Sequence, residues 1–480
     1  MFGGTTLRSL GTQMRQGRRI EFTRGAWIAA IGFLFTFALI SNAIAVANDI
    51  TGPFELLATD FVGRAQIGEI KIAGLLLALV CLPSRLRLPV IGVAATIELL
   101  WNAQRLFAGN ELTVGNGILF TLVGTAAYAA WRLRGPEQAS TLKAAGLGLL
   151  LIVMGRVGDV WLVLSSRANP SVLDEFVEMA DRALGSPAWA VGSVVSESPI
   201  LTEIFSKVYV YLPVGAAIIA FFQLRNSARD GFPRHHIIRT FLLIGMIGPL
   251  IYFVFPVVGP TYAFGHELAG AGWQDVWPLH LPIIGDPESA PFAQAVARNC
   301  MPSLHTAWAT CILIHGWRGS TVSKIFGTLW LVCTTGATLG FGFHYGIDIL
   351  AGIIFTLTLE AALTRPELGW SWHRAGVIAF GATAFSGVLL STRFLSVELA
   401  VSGAVGGLAL LGVVLAVAIA FLTVELHPGD QRAFDGPRPP TVGQKTAEAL
   451  REVVGSARRW TADTVAMITP ESKKTESTKL

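Results

Sequence analysis

The segments Asn299-Cys300-Met301-Pro302-Ser303-Leu304-His305 and His344-Tyr345-Gly346-Ile347-Asp348 decide how this chain is interpreted. Each segment lies where an apolar run begins, and together they supply two histidines and an aspartate. Ionisable side chains at the edge of a membrane span are energetically costly, and they are a functional hypothesis by default. The sequence therefore predicts one site, built from both segments at a single water–lipid boundary.

The composition around these segments is that of a membrane protein. Apolar residues make up 52% of the 480 residues and charged residues only 14%, too few polar groups to cover a soluble core. Apolar runs of about 20 residues, the length that crosses a bilayer as a helix, recur along the chain. We expect an all-α polytopic protein with about twelve transmembrane helices, at roughly 26–47, 67–82, 89–107, 115–131, 144–165, 205–224, 240–258, 303–317, 325–342, 345–364, 375–391 and 400–424.

Basic residues alternate between the loops. They concentrate in the first 25 residues, in every second loop and in the tail after Glu425. The positive-inside rule then predicts that both termini are cytoplasmic and that His305 and His344 face the opposite side of a plasma membrane. The positive charge is attributed to membrane orientation, so no nucleic-acid partner is expected. The tail predicts a cytoplasmic amphipathic helix in residues 426–480.

The residue types in the two segments suit phosphoryl transfer. His344 and Asp348 are four residues apart at a predicted helix start, so the carboxylate is able to orient the imidazole as a nucleophile. His305 begins another helix and suits protonation of a leaving group. Ser303 and the first amides of that helix suit a phosphate. These residues describe a phosphohistidine mechanism without metal or other cofactor, although a zinc or iron site made of His305, His344 and Asp348 stays open at this point.

Both segments resemble signature motifs of the type-2 phosphatidic acid phosphatase superfamily: Pro302-Ser303-Leu304-His305 is similar to the second, and His344-Tyr345-Gly346-Ile347-Asp348 to the third. The stretch Tyr252-Phe253-Val254-Phe255-Pro256-Val257-Val258-Gly259-Pro260-Thr261-Tyr262 resembles the inositol phosphorylceramide synthase branch. The resemblance implies that His344 attacks phosphorus, Asp348 orients it and His305 protonates the leaving alcohol. It implies a six-helix core at residues 144–364, between an N-terminal segment with about four extra spans at 1–143 and two C-terminal spans at 365–425.

The family's cationic positions are not basic in this chain. Its first motif has a lysine, six residues and Arg-Pro, where this chain has Tyr252 and Gly259-Pro260; its third motif begins Ser-Arg, where this chain has Ala337-Thr338. Three other residues are therefore candidates for substrate binding beside Ser303: Arg298, Lys207 and Tyr262.

The function expected from this sequence is transfer of a phospho-headgroup such as phosphoinositol between lipid or polyol substrates. A lipid-phosphate phosphatase, acting on phosphatidate or polyprenyl phosphate with the same residues, is the alternative, because water can also resolve a phosphohistidine. A transporter is a third possibility, which predicts that the charged residues meet near mid-membrane. The expected partners are a lipid or polyprenyl phosphate and the membrane itself, and the oligomeric state is left open.

Overall fold

A computed structural model describes residues 24–63, 67–225, 233, 235–265, 281–366 and 370–426. The expectation of an all-α protein is confirmed, because the strands in these residues are limited to a short antiparallel pair, β1 Ser171–Val172 and β2 Ala290–Pro291. The N-terminal segment 1–23 and the expected tail helix lie outside the described residues.

The helices fall into three groups along the chain. The N-terminal group is α1 Arg24–Ala47, α2 Pro53–Val62, α3 Gly68–Cys81, α4 Ser84–Phe107, α5 Asn116–Arg132 and α6 Gly135–Ala168. The middle group is α7 Asp174–Asp181, a 3₁₀ turn Arg182–Leu184, α8 Pro187–Ser196, α9 Pro199–Val210, α10 Leu212–Leu224, α11 Ile237–Val254, α12 Pro260–Phe264, α13 Leu304–Trp317, α14 Thr321–Gly340 and α15 Gly346–Leu363. The C-terminal group is α16 Trp372–Phe394, α17 Ser396–Ser402 and α18 Ala404–Glu425.

Serine side chains fix where several of these helices begin. Ser198, Ser303, Ser320 and Ser371 each accept a hydrogen bond from a backbone N–H in the first turn of α9, α13, α14 and α16. Such a cap satisfies a donor that has no partner inside the helix. The polar residues between the apolar runs therefore set the helix boundaries, and one of them, Ser303, belongs to the first motif segment.

Helix α15 lies at the centre of the middle group. It packs against α11 and α13 on one side and against α16 and α18 on the other, and 72% of its apolar window is buried, against 11% for α4. Gly352 allows α15 to approach the start of α13, because a Cβ there would lie 2.5 Å from the carbonyl oxygen of Ser303. The two helices that follow the motif segments are therefore in direct contact.

The expected number of about twelve spans is not confirmed. In the described residues, seven helices are long and apolar enough to cross a membrane, or eight if α9 and α10, bent by 62°, count as one span. Three expected spans are the shorter helices α3, α5 and α13, of 14, 17 and 14 residues. A 14-residue helix rises roughly 21 Å, less than the ~30 Å of a hydrocarbon core.

A network of buried charges joins the N-terminal helices. The carboxylate of Asp60 accepts hydrogen bonds from Lys71 Nζ at 2.7 Å and from Arg156 Nε and Nη2 at 2.7 and 2.6 Å. The sequence predicts a pair between Arg156 and Asp159, and a 2.9 Å contact confirms it. The network satisfies each cation with a carboxylate, which is the condition for burying it at low cost.

Candidate active site

His344 lies in the short connection between α14 and α15 and is 4% exposed. Its Nδ1 is 2.8 Å from the carbonyl oxygen of Cys300, whereas the nearer carboxylate oxygen of Asp348 is 3.6 Å away. A carbonyl accepts hydrogen bonds only, so Nδ1 carries the proton and Nε2 carries the lone pair. Burial lowers the pKa of His344 to about 4. The imidazole is therefore neutral at pH 7, with Nε2 available as a nucleophile.

Asp348 joins the two motif segments, mainly through groups other than His344. Its Oδ2 accepts from the backbone N–H of Tyr345 at 2.8 Å and lies 2.7 Å from the thiol of Cys300. Its backbone carbonyl accepts from the N–H of Ser303 at 3.1 Å. The carboxylate thus orients His344 through Cys300, whose own carbonyl holds the imidazole, and not by a direct hydrogen bond.

Ser303 is fully buried as the N-cap of α13. Its Oγ accepts from the N–H of Thr306 at 3.3 Å and lies 3.0 Å from the Thr306 hydroxyl. The structure therefore uses this hydroxyl to start the helix that carries His305, two residues further on. Its expected role at the phosphate stays a prediction.

His305 faces an aromatic group that includes the residue before His344. The Tyr209 ring stacks on the His305 imidazole, with centroids 3.9 Å apart and planes at 14°. Phe343 lies 5.3 Å from Tyr209 and 6.3 Å from Tyr262, centroid to centroid. The aromatic contacts therefore connect the proposed acid to the loop of the proposed nucleophile, and they place Tyr262 beside that loop. His305 is the second residue of α13 and His344 precedes α15, so both lie at helix ends.

The two aspartates at the ends of α7 hold the loops of this site. Asp174 accepts from the N–H of Val258 at 3.1 Å, from the N–H of Gly259 at 2.8 Å and from the hydroxyl of Tyr345 at 2.8 Å. Asp181 accepts from the N–H of Ile347 at 2.8 Å, at the start of α15. We call this pair of carboxylates the α7 clamp, because it fastens one short helix to the loop after α11 and to the loop that carries His344.

Burial changes the protonation of the acidic residues on α7. It raises the pKa of Asp174 to about 6 and that of Asp181 to about 7. For Glu178, burial and the neighbouring Asp181 raise the pKa to about 8. Asp181 Oδ2 and Glu178 Oε2 are buried oxygens without a hydrogen-bond partner, which is acceptable for a neutral carboxyl group but costly for an ionised one.

Residues at the family's cationic positions have structural roles here. The Tyr252 hydroxyl donates to the carbonyl of Pro302 at 3.2 Å, and Thr338 O accepts from the N–H of His344 at 3.1 Å. Gly259 has a φ of +99°, and a Cβ there would lie 2.4 Å from the carbonyl of Phe343. An arginine at that position would therefore strain the backbone and clash with the loop of His344.

Arg298 and Lys207 have partners other than His305, His344 and Asp348. Arg298 is 1% exposed, and its guanidinium donates to the carbonyls of Asn169, Phe292, Gln294 and Val296. Lys207 is 64% exposed and lies 3.4 Å from Glu203 on the same helix. It is two residues before Tyr209, which is about 200° around the helix, so the two side chains point in opposite directions. Neither cation is therefore included in the site described below.

Two groups of side chains in the described residues have metal-binding residue types within reach of one another. Cys300, His344 and Asp348 form one, and His235, His315 and Glu360 form the other, with ligand atoms within 4.8 Å in each. In the first group the Nδ1 proton and the thiol already donate hydrogen bonds, and a metal would need the thiolate and a nitrogen lone pair. In the second, His235 and His315 contact Glu360 through Nε2 at 3.0 and 2.8 Å, and Arg318 also donates to this carboxylate. The potential ligand atoms of both groups are thus largely engaged in hydrogen bonds, although Asp348 Oδ1 and His235 Nδ1 are buried without a hydrogen-bond partner.

Four residues of the site were not assigned a role from the sequence. Asp174 and Asp181 are seven apart, so they share a helix face, and that spacing was an available signal. For Cys300 the sequence favours no more than the role of a small packing residue. Tyr209 has no local pattern that distinguishes it, because its contact with His305 joins α9 to a helix that begins almost a hundred positions later.

Comparison with known families separates the chain into two parts. Residues 175–362 match the family model described as the PAP2 superfamily, and residues 22–164 match one described as a domain of unknown function, DUF5933. Searches of curated proteins and of solved structures found no match. The first match contains both motif segments, Tyr209 and all of α7 except Asp174, while α6, placed in the core from the sequence, falls largely in the second. Residues 175–362 are therefore a PAP2 superfamily domain, the domain of a family of membrane phosphatases and phosphotransferases.

Proposed function

We propose that this protein is a phosphotransferase that moves a phospho-headgroup between lipid or polyol substrates through a phosphohistidine at His344. The observation that carries the proposal is the hydrogen bond from His344 Nδ1 to the Cys300 carbonyl. It fixes the tautomer in which Nε2 is unprotonated, and a neutral imidazole with a free lone pair is what attack on phosphorus requires.

In the first half of the reaction, His344 Nε2 forms a bond to phosphorus and the bond from phosphorus to the leaving alcohol oxygen breaks. His305 enters this step as the imidazolium, a form that the negative charge of the bound phosphate must favour because burial lowers the pKa of His305 to about 3. It gives its proton to that oxygen, so a neutral alcohol departs and a neutral imidazole remains. In the second half, an acceptor hydroxyl gives its proton to His305 and its oxygen attacks phosphorus. The phosphorus–nitrogen bond then breaks, which restores both histidines.

The residues at the family's cationic positions favour a phosphodiester donor. A phosphomonoester carries close to two negative charges at pH 7 and a phosphodiester carries one, so the monoester depends more strongly on Lys and Arg. Here those positions hold Tyr252, Gly259 and Thr338. A phosphodiester lipid with a headgroup such as phosphoinositol therefore suits this site better than phosphatidate. The resemblance of the segment ending in Tyr262 to the synthase branch supports the same choice.

We place the site on the extracytoplasmic side of a plasma membrane, with both termini in the cytoplasm. The support for this orientation is the alternation of basic residues between loops. The position of His305 and His344 at helix ends favours an enzyme over a transporter, for which the charged groups would meet near mid-membrane.

The test is an assay of the purified full-length protein in liposomes. Phosphatidylinositol labelled in its phosphate is supplied with short-chain diacylglycerol as acceptor, and phosphatidate is supplied in a parallel reaction. Transfer predicts a labelled short-chain phospholipid, whereas a phosphatase predicts free phosphate and diacylglycerol from phosphatidate and no new phospholipid. His344→Ala should abolish turnover, with His373→Gln, at an exposed histidine in α16, as the matched control. Turnover that survives His344→Ala would contradict the phosphohistidine.

A further inference from the structure

Tyr209 stacks on the imidazole of the proposed acid, His305, and neither family motif includes it. Its ring covers one face of the His305 imidazole at a centroid distance of 3.9 Å. Face-to-face rings at that distance bring the edge of the phenol close to the edge of the imidazole. The group that receives a proton from His305, or gives one to it, must bind at that edge.

The packing of its own helix, α9, fixes the position of Tyr209. Phe205 lies four residues earlier on the same face of α9 and packs against Gly336 of α14, where a Cβ would lie 2.6 Å from the Phe205 ring. Helix α9 then ends at Val210, and the chain bends by 62° into α10. Tyr209 is therefore held in the last turn before a bend, and its stacking on His305 does not depend on an exposed loop.

The hydroxyl group of Tyr209 is available for a ligand. Within the described ranges, neither Tyr209 nor Tyr262 forms a hydrogen bond through its hydroxyl, although Tyr252 and Tyr345 nearby both do. Phe343 packs against the rings of both Tyr209 and Tyr262. The three rings form a wall beside the catalytic histidines that presents neutral hydroxyl groups and no charge. Such a surface suits a hydroxyl-bearing molecule, since a phenol both donates and accepts a hydrogen bond.

We propose that Tyr209 selects the acceptor: its ring positions His305, and its hydroxyl binds the alcohol that exchanges a proton with His305. The inference rests on the proposed function, because an acceptor exists only if the phosphohistidine is resolved by an alcohol. A bound alcohol competes with water for the phosphohistidine. Loss of the hydroxyl should therefore favour hydrolysis over transfer.

The experiment compares Tyr209→Phe, Tyr209→Leu and the control Tyr211→Phe in the transfer assay, with diacylglycerol and then with free inositol or glycerol as acceptor. Tyr211 is 39% exposed at the bend and serves as a matched loss of hydroxyl on the same segment. Tyr209→Phe keeps the stacking, so the KM for the acceptor should rise about three- to tenfold, the value of one neutral hydrogen bond, and the ratio of transfer to hydrolysis should fall equally. The acceptor whose KM rises identifies whether a lipid alcohol or a polyol is bound.

Tyr209→Leu removes the ring as well and should also shift the basic limb of the pH–rate profile, which Tyr209→Phe leaves in place. An acceptor KM and a transfer ratio within 1.5-fold (about 0.2 kcal/mol) of the wild type in Tyr209→Phe would overturn the proposal. That result is distinct from failure of the proposed function, in which the wild type itself forms no transferred product. Thermal unfolding of each variant separates a loss of fold from a loss of acceptor binding.

Discussion

The Asp181 carboxylate accepts a hydrogen bond from the backbone N–H of Ile347 at 2.8 Å, across 166 residues of sequence. Ile347 is in the first turn of α15, between His344 and Asp348. A carboxylate at a helix N-terminus also interacts favourably with the helix dipole. The end of α7 thus determines where α15 begins, and with it where the two motif residues stand relative to Cys300.

Substitution of Asp181 should lower the rate more than it changes substrate affinity. Asp181→Ala removes the acceptor and should reduce kcat about 10- to 100-fold, because small displacements of a catalytic group have effects of this size. Asp181→Asn keeps an oxygen for the Ile347 N–H and should retain activity within roughly threefold, one neutral hydrogen bond at most. Steady-state kinetics of both variants over a range of donor concentrations give kcat and KM separately. Equal losses in the two variants would show that the clamp does not act through this acceptor.

The raised pKa of Asp181 also leads to a prediction of how the stability of the folded protein depends on pH. Burial raises the pKa of Asp181 from its ordinary value near 4 to about 7 in the folded protein. The folded state then binds more protons than the unfolded state between these values. The contribution of Asp181 to stability is therefore full at or below about pH 4 and is lost as pH rises to about 7, by at most about 1.4 kcal/mol per pH unit. Glu178 and Asp174 act in the same direction.

The measurement is the apparent melting temperature in detergent from pH 4 to 8. Wild type should lose stability relative to Asp181→Asn as pH rises, because the amide does not titrate. A constant difference between the two proteins across this range would contradict a raised pKa at Asp181.

The residues of the site could be predicted from the sequence to different degrees. His305, His344 and Asp348 occur in short motifs whose spacing is local, and the structure brings both segments together at adjacent helix starts. The approximate positions of the helices followed from the apolar runs, but the serine-capped helices α9, α14 and α16 begin before the expected starts at 205, 325 and 375. The number of spans did not follow from them, since the length of an apolar run does not say whether a helix crosses fully or is a short packed element such as α13. The hydrogen-bond partners of Arg298 could not be predicted either, because the N–H groups of a guanidinium can donate equally to the carbonyls of a buried loop or to a bound anion.

Substitutions of Cys300 test whether its thiol supports turnover by a hydrogen bond to Asp348 or by binding a metal. Its Sγ lies 2.7 Å from Asp348 Oδ2, and burial raises its pKa well above the ordinary value, so it is a neutral donor. Cys300→Ser should keep this hydrogen bond and stay within about threefold of wild-type turnover, while Cys300→Ala should lose roughly tenfold. Chelators should leave all three proteins unchanged. Inhibition by a chelator, together with loss of activity in Cys300→Ser, would instead support a metal bound by Cys300, His344 and Asp348.

Arg298 should contribute to the stability of the fold and not to binding of the donor. Arg298→Gln leaves several buried carbonyls without donors, which costs about 2–4 kcal/mol of unfolding free energy. The KM for the donor should be unchanged at a temperature where the variant is folded. Lys207→Ala, at an exposed residue, is the comparison and should change stability by less than about 0.5 kcal/mol. A rise in KM without loss of stability in Arg298→Gln would restore Arg298 as a phosphate ligand.

The two aspartates of the charge network in the N-terminal helices, Asp60 and Asp159, should contribute unequally to the free energy of unfolding. Asp60 is fully buried and serves both Lys71 and Arg156, whereas the side chain of Asp159 is 37% exposed and contacts Arg156 alone. Asp60→Asn leaves two buried cations without a full counter-charge and should cost about 3–5 kcal/mol, while Asp159→Asn should cost under about 1 kcal/mol. Lys71→Met should be milder than Asp60→Asn, because Asp60 keeps both hydrogen bonds from Arg156.

Denaturant titration of the three variants in detergent gives the order directly. Equal destabilisation by Asp60→Asn and Asp159→Asn would mean that the network is hydrated in the detergent-solubilised protein, since only a water-excluded site makes the loss of one carboxylate so costly.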